Sequence, residues 1–210
     1  MKMRKFTAII LALVMVFAMS VNAFAVENNA TDTLSGTVTV KFTQNCSDTD
    51  DDVTTWYATR GTDLFDSNSS VSVNLATLND INLATCKQVY SLPAGHAMTN
   101  TVSVLDVIVA AALDKGHAVV GGWDAEPEDN VPGGYIYNVG NQEFEFYYGE
   151  NGDGTYWMMG TGFVVGIAPN ATATPTFSDV YLSNVAASTL TDGAVIYVDL
   201  GNYTFSSVVW

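Results

Sequence analysis

Two histidines, His96 and His117, are all that this 210-residue chain offers as imidazole general bases. A nucleophilic triad needs a serine or cysteine within reach of such a base. No Gly-x-Ser-x-Gly elbow is present. His96 sits in Pro93-Ala-Gly-His, a turn-like stretch, and His117 follows the predicted end of a helix. A charged ring at that second place complements the helix dipole without any catalytic task. Paired carboxylates do glycosidase work, but with 22 acidic residues such pairs arise in almost any arrangement. Glu143 and Glu145 share one face of a predicted strand, opposite Phe144 and Phe146, and read as a solvated face. No catalytic residue is therefore expected, and a glycosidase is the least favoured reading.

Two acidic runs offer oxygens to a hard cation such as calcium. One is Asp48, Asp50, Asp51 and Asp52, and the other is Asp124, Glu126, Glu128 and Asp129. Neither follows the EF-hand spacing, and flexible acidic loops explain both more simply. No metal site is expected, with Asp124, Glu126 and Asp129 the best calcium candidates. No cofactor is expected.

The aromatic residues carry more information. There are 4 Trp, 10 Tyr and 10 Phe. Trp56-Tyr57, Trp123, Tyr135, Tyr137, Tyr147-Tyr148 and Tyr156-Trp157 stand beside polar or glycine-rich sequence. Exposed rings stack on sugars or flat ligands and anchor protein partners. The expected ligand contacts are Trp123, Tyr135, Tyr137 and Trp157, around a cleft beside a loop over 121–134. Trp123, among acids, is expected to be the most exposed of them.

Where these rings would work follows from the N-terminus. Met1 to Lys5 carries three basic residues, Phe6 to Met19 is apolar apart from Thr7, and Ala23-Phe24-Ala25 has a small-x-small form. This is the layout of a secretory signal peptide over residues 1–25. The apolar run falls short of the ~20 residues that a spanning helix needs, so no membrane-spanning segment is expected after cleavage. Cleavage removes Lys2, Arg4 and Lys5 and no acid, so the formal charge of −15 becomes more negative still. Lys41, Arg60, Lys87 and Lys115 are then the remaining basic residues. Such a surface repels phosphate, which excludes nucleic acid as a partner. Cys46 and Cys86 are placed where a disulfide can form, and that bond is expected, the alternative being two buried thiols. On the chain-entropy model it would add roughly 3–4 kcal/mol. Two cysteines and two histidines at these spacings make no zinc site.

The elements that must position the rings are mostly strands. Residues 26–34 read as a disordered entry segment. Alternation predicts strands at 37–42, 70–75, 135–137, 143–148, 156–159, 162–165, 180–182, 194–200 and 203–210, with a short one at 56–59. Asn45 to Thr55 reads as a loop. Ser103 to Lys115 is the one clear helix: Ser103 and Asp106 form a capping box, and Gly116 stands at C′. Leu105, Ile108, Val109 and Ala112 fall on one face. The fold class is α+β, a largely antiparallel sheet packed on that helix, in a single domain over 35–210.

The order of these pieces resembles the transcobalamin C-terminal-like domain of secreted Gram-positive bacterial proteins. The resemblance rests on Ser103-Val-Leu-Asp-Val-Ile-Val-Ala-Ala-Ala112, on Gly133-Gly134-Tyr135-Ile136, on Tyr156-Trp157 followed by Gly160 and Gly162, and on Tyr181-Leu182 with Leu190 to Val198. It spans roughly residues 36 to 203. The family's Gly-Asp turn is inverted to Asp192-Gly193, and the stretch around 43–100 is long enough to be an insertion. The resemblance implies a β-grasp-like mixed sheet and, less directly, a corrinoid such as cobalamin as ligand. Together the readings point to a secreted or cell-surface, non-catalytic binding module for a glycan, a protein or a corrinoid. A structural, adhesin-like surface subunit is the alternative, favoured by the apolar end Val208-Val209-Trp210.

Overall fold

Long alternating apolar runs need both edges paired and one face covered, and that requirement organises the molecule. In the computed structural model, the described residues are 33–50, 53–57, 61–80, 89, 102–125, 131–143, 145–150, 156–178 and 180–208. Their strands are β1 (Thr37–Asp50), β2 (Val53–Trp56), β3 (Thr62–Asp63) and β4 (Ser70–Asn74), then β5 (Val119–Asp124), β6 (Gly133–Val139) and β7 (Gln142–Glu143), then β8 (Glu145–Glu150), β9 (Tyr156–Ala168), β10 (Thr176–Phe177) and β11 (Val195–Val208). The main helix, α1 (Val104–Asp114), lies between β4 and β5 in sequence. The result is strand-rich, with a nearly closed mixed sheet.

β11 is the centre of that sheet, parallel to β1 and antiparallel to β9. β2, β3 and β4 line the other edge of β1, while β8 and β10 line the other edge of β9. A separate three-stranded sheet runs β5-β6-β7. The pairs expected as separate short strands at 156–159 and 162–165, and at 194–200 and 203–210, are each one continuous strand. Twelve register partners between β9 and β11 hold them straight through their glycines. Residues 180–182 do not form the expected strand. Leu182–Asn184 is a 3-10 turn.

The helix begins as its sequence predicts. The Ser103 side chain accepts from the Asp106 backbone N–H, and the Ser103 N–H donates to Asp106 Oδ2 at 2.9 Å. Gly116 closes it at φ +77°, a conformation that costs a residue without a Cβ little. The single apolar face understates its burial: Val104, Leu105, Asp106, Val107, Ile108, Val109, Ala111 and Ala112 are all buried. Val38, Val40, Phe42, Ile196 and Val198 of the sheet share this core with Ile136 and Val139 of β6 and with Leu182, Ala187 and Leu190. Covering on several sides is what holds so β-branched a helix.

The largest departure is at β1. Its expected end is Phe42, with a loop over 45–55, yet it continues to Asp50 and pairs with β2. Between Gln44 and Asp48 the register with β11 shifts, and Asn45 takes φ +62°. The strand's freed N–H groups there are satisfied by Asp199 of β11, which is fully buried. Its Oδ2 accepts from the N–H groups of Cys46 (3.1 Å) and Ser47 (3.0 Å) and from Ser47 Oγ (2.7 Å). Its Oδ1 accepts from Thr43 Oγ1 at 2.8 Å. The bulge is thus pinned by a carboxyl group more than 150 residues away in sequence.

That bulge also holds Cys46. Its thiol is free and buried, so the expected disulfide is not formed in the structure; Cys86 lies outside the described residues. Cys46 Sγ instead accepts from the Gly61 N–H at 3.0 Å. Burial above all pushes the thiol above its ordinary pKa; the bond with Thr43 opposes it, the charge of Asp199 adds to it, and the bond from Gly61 opposes it more weakly. No helix among the described residues is long and apolar enough to cross a membrane.

Candidate functional site

A glycine directly opposite a tyrosine in an antiparallel pair leaves an empty patch of backbone for the ring to lie on. β5 and β6 contain such a pair, Gly122 opposite Tyr135. A Cβ at Gly122 would sit 2.7 Å from both Cζ and the hydroxyl of Tyr135, which shows how closely the ring crosses that strand. β6 alternates strictly at this point: Tyr135 and Tyr137 face solvent while Ile136 is buried. The register between Val120 and Gly121 shifts, making Tyr137 the extra residue of a bulge. The Tyr135 and Tyr137 rings lie 6.3 Å apart between centroids, tilted 46°.

A third ring completes the surface. Tyr181 lies 6.4 Å from Tyr135, tilted 35°, beside Gly133 on the side away from Tyr137. Gly133 makes this possible, because a Cβ there would fall 2.2 Å from the Tyr181 Cβ. The segment carrying Tyr181 is clamped to β6 by two further bonds. Ser183 Oγ accepts from the Gly134 N–H at 2.8 Å, and Asn184 Nδ2 donates to the Pro132 carbonyl at 2.9 Å. The Tyr181 hydroxyl donates to Asp124 Oδ2 at 2.8 Å. The outer face of the hairpin therefore presents Tyr137, Tyr135 and Tyr181 in succession, with a half-buried carboxyl group at the Tyr181 end.

Of the expected ligand contacts, Tyr135 and Tyr137 meet here. Trp123 does not, and its expected exposure is corrected. Residues 121–124 belong to β5 rather than to a loop, and Trp123, one residue on from Gly122, turns its ring inward against the core. Trp157 lies on β9 opposite Gly149, and its side chain is outside the described part of the structure. Tyr181 is the ring of this strip that sequence reasoning missed. Its signal was Gly133, whose missing side chain is the space that Tyr181 fills.

The chemical candidates stand apart from this strip. His117 stacks on Phe65 at 3.9 Å between centroids and lies edge-on to Phe42, with Nε2 3.2 Å from the Asn68 carbonyl. It ties the 65–68 turn to the helix end. His96 lies outside the described residues, as do Glu126, Glu128, Asp129, Asp51 and Asp52, and the side chains of Asp50, Glu143 and Glu145 are not described either. Asp48 Oδ2 accepts from the Tyr57 hydroxyl at 3.1 Å. Among the described residues, no three His, Cys, Asp or Glu side chains gather closely enough to hold a metal ion. A row of phenol rings on the outer face of a hairpin can stack on a ligand and hydrogen-bond it at the rim.

Neither a family model, nor a curated protein, nor a solved structure matches the chain.

Proposed function

We propose that the chain is an exported, non-catalytic binding module that holds a glycan on the Tyr137–Tyr135–Tyr181 strip. The observation that carries this reading is the seating of Tyr135 over Gly122 and of Tyr181 over Gly133. Two glycines are kept bare so that two rings lie where the chain would otherwise carry side chains. Both rings of the β6 pair are about two-fifths exposed, with no core to fill. Rigid rings lose little conformational entropy on binding and bring a hydroxyl to the rim, which suits the mixed apolar and polar faces of a sugar. The signal-peptide layout of residues 1–25 supports export, and the acidic surface argues against nucleic acid. The helix on a mixed sheet supports a β-grasp-like fold and, with it, kinship with the transcobalamin C-terminal-like domain. On that kinship a corrinoid is the second ligand class, and a surface protein the third.

Affinity electrophoresis of residues 26–210 through gels containing soluble polysaccharides tests the reading. Retardation by at least one polysaccharide, lost in Tyr135→Ala, is the expected result. No retardation by any of them, or retardation that Tyr135→Ala leaves intact, overturns it. A change in tryptophan fluorescence with cyanocobalamin alone would move the assignment to the corrinoid.

A further inference from the structure

We infer that the domain bears tension between its two ends, through a clamp formed by β1 and β11. The inference goes beyond the ligand-binding reading and does not depend on it. β1 and β11 are the first and last of the described strands, and they lie side by side and parallel. A load that enters ahead of Thr37 pulls β1 toward its N-terminal end. A load that leaves beyond Val208 pulls β11 toward its C-terminal end. In a parallel pair those directions are opposite and both run along the strands. The pair is therefore sheared, and its cross-strand bonds resist together. An antiparallel terminal pair would be pulled from one end and would open bond by bond.

The details of the interface reinforce this geometry. The register runs from Thr39 opposite Val195 to Asp50 opposite Thr204 and is interrupted only between Gln44 and Asp48. Asp199 bridges that interruption from β11. Its carboxyl group holds Thr43 ahead of the shift and Cys46 and Ser47 within it. The entry end carries its own ties. The Thr37 N–H donates to Asp192 Oδ1 at 2.8 Å, the Gly193 N–H donates to the Thr37 carbonyl at 2.8 Å, and the Thr39 N–H donates to the Ala194 carbonyl at 2.9 Å. Neither strand is an edge: β2, β3 and β4 flank β1, and β9 flanks β11. Val38, Val40, Phe42, Ile196 and Val198 are buried on the helix side, while Tyr197 is buried in a second cluster with Val195 and Ala168. Hydrogen bonds in such surroundings are stronger than bonds open to water. A domain built this way can stand in series between a surface and whatever the chain holds, and stay folded under pull.

Single-molecule force spectroscopy tests the clamp. Residues 26–210 are joined at both ends to marker domains and pulled end to end. In a second form, Cys86→Ser with Thr191→Cys, the pull runs from the N-terminal marker to a handle at position 191. Thr191 is exposed, in the turn that leads into β11, so this pull opens the pair from one end. The end-to-end unfolding force is expected to be at least about twice the peeling force, because bonds that yield singly in one direction must yield together in the other. Forced unfolding follows the barrier along the pulled direction rather than the equilibrium stability, which the two pulls share. Asp199→Ala should lower the end-to-end force and leave the peeling force nearly unchanged; Thr43→Val, which removes one tie, takes its place if Asp199→Ala does not fold. An end-to-end force equal to or below the peeling force overturns the inference. So does a variant in which the two forces fall alike. Polysaccharide binding enters neither measurement, so the stacking reading stands or falls separately.

Discussion

Replacing Asp199 by alanine strips the bulge in β1 of the group that satisfies it. Four donors lose their acceptor at once: the N–H groups of Cys46 and Ser47 and the hydroxyls of Ser47 and Thr43. All three residues are buried, Ser47 completely. The hydroxyls can turn to other acceptors, but the two N–H groups are fixed by the backbone. Each stranded donor costs about 1–3 kcal/mol, so two fixed ones cost about 2–6 kcal/mol, and ~4 kcal/mol is the working figure. That is a large part of the 5–15 kcal/mol that ordinarily holds a domain. Asp199→Asn is the informative partner. With its oxygen at the Oδ2 position, an amide still accepts from Cys46, Ser47 N–H and Ser47 Oγ, and its NH2 group donates to Thr43 Oγ1 after that hydroxyl turns. Asparagine therefore costs only ~1 kcal/mol, for a weaker acceptor. Urea unfolding followed by tryptophan fluorescence measures both at constant m-value. If Ala and Asn cost the same, or if Ala costs under about 1 kcal/mol, unsatisfied donors are not what Asp199 prevents and the reasoning fails.

Further expectations concern single groups. Gly133→Ala drives a Cβ into Tyr181 and costs about 1–3 kcal/mol by overpacking; Gly122→Ala meets only the mobile tip of Tyr135, so denaturant melts should show it nearly as stable as wild type while polysaccharide binding weakens. Equal stability losses in the two variants would contradict the difference in their contacts. Ser103→Ala removes the cap of α1 and costs about 1 kcal/mol in the same melts. In a Cys86→Ser background, Cys46 should react with a thiol reagent such as DTNB only as fast as the protein unfolds. Because its folded pKa is raised by burial, the unfolded thiol loses its proton first. The stability that Cys46 contributes is then full below the ordinary thiol value of about 8.5 and falls as pH rises through the folded value. Stability independent of pH between 8 and 10, relative to Cys46→Ala, would contradict this.

Local signals and distant ones divide what was legible in the chain. The helix was readable because its start is written within four residues, Ser103 to Asp106, and its end in Gly116. The outward alternation of Tyr135 and Tyr137 was readable for the same reason, since period two along one strand needs no partner. The course of β1 past Phe42 was not. Asn45 to Asp50 has a loop's composition, and it becomes strand and bulge only because Asp199 and β2 supply what the local sequence lacks. Trp123 was misjudged for a related reason: acidic neighbours describe its sequence environment, whereas its face is set by the pairing of Gly122 with Tyr135 across the hairpin. The two glycines carry the lesson for the site itself. Gly122 and Gly133 look like loop residues when read singly. Beside tyrosines on a paired strand, each is better read as a seat cleared for a ring, and the ring need not be near in sequence, as the 48 positions between Gly133 and Tyr181 show. A glycine whose absent side chain is another residue's position thus locates a seated ring here more reliably than the polarity of the residues around it.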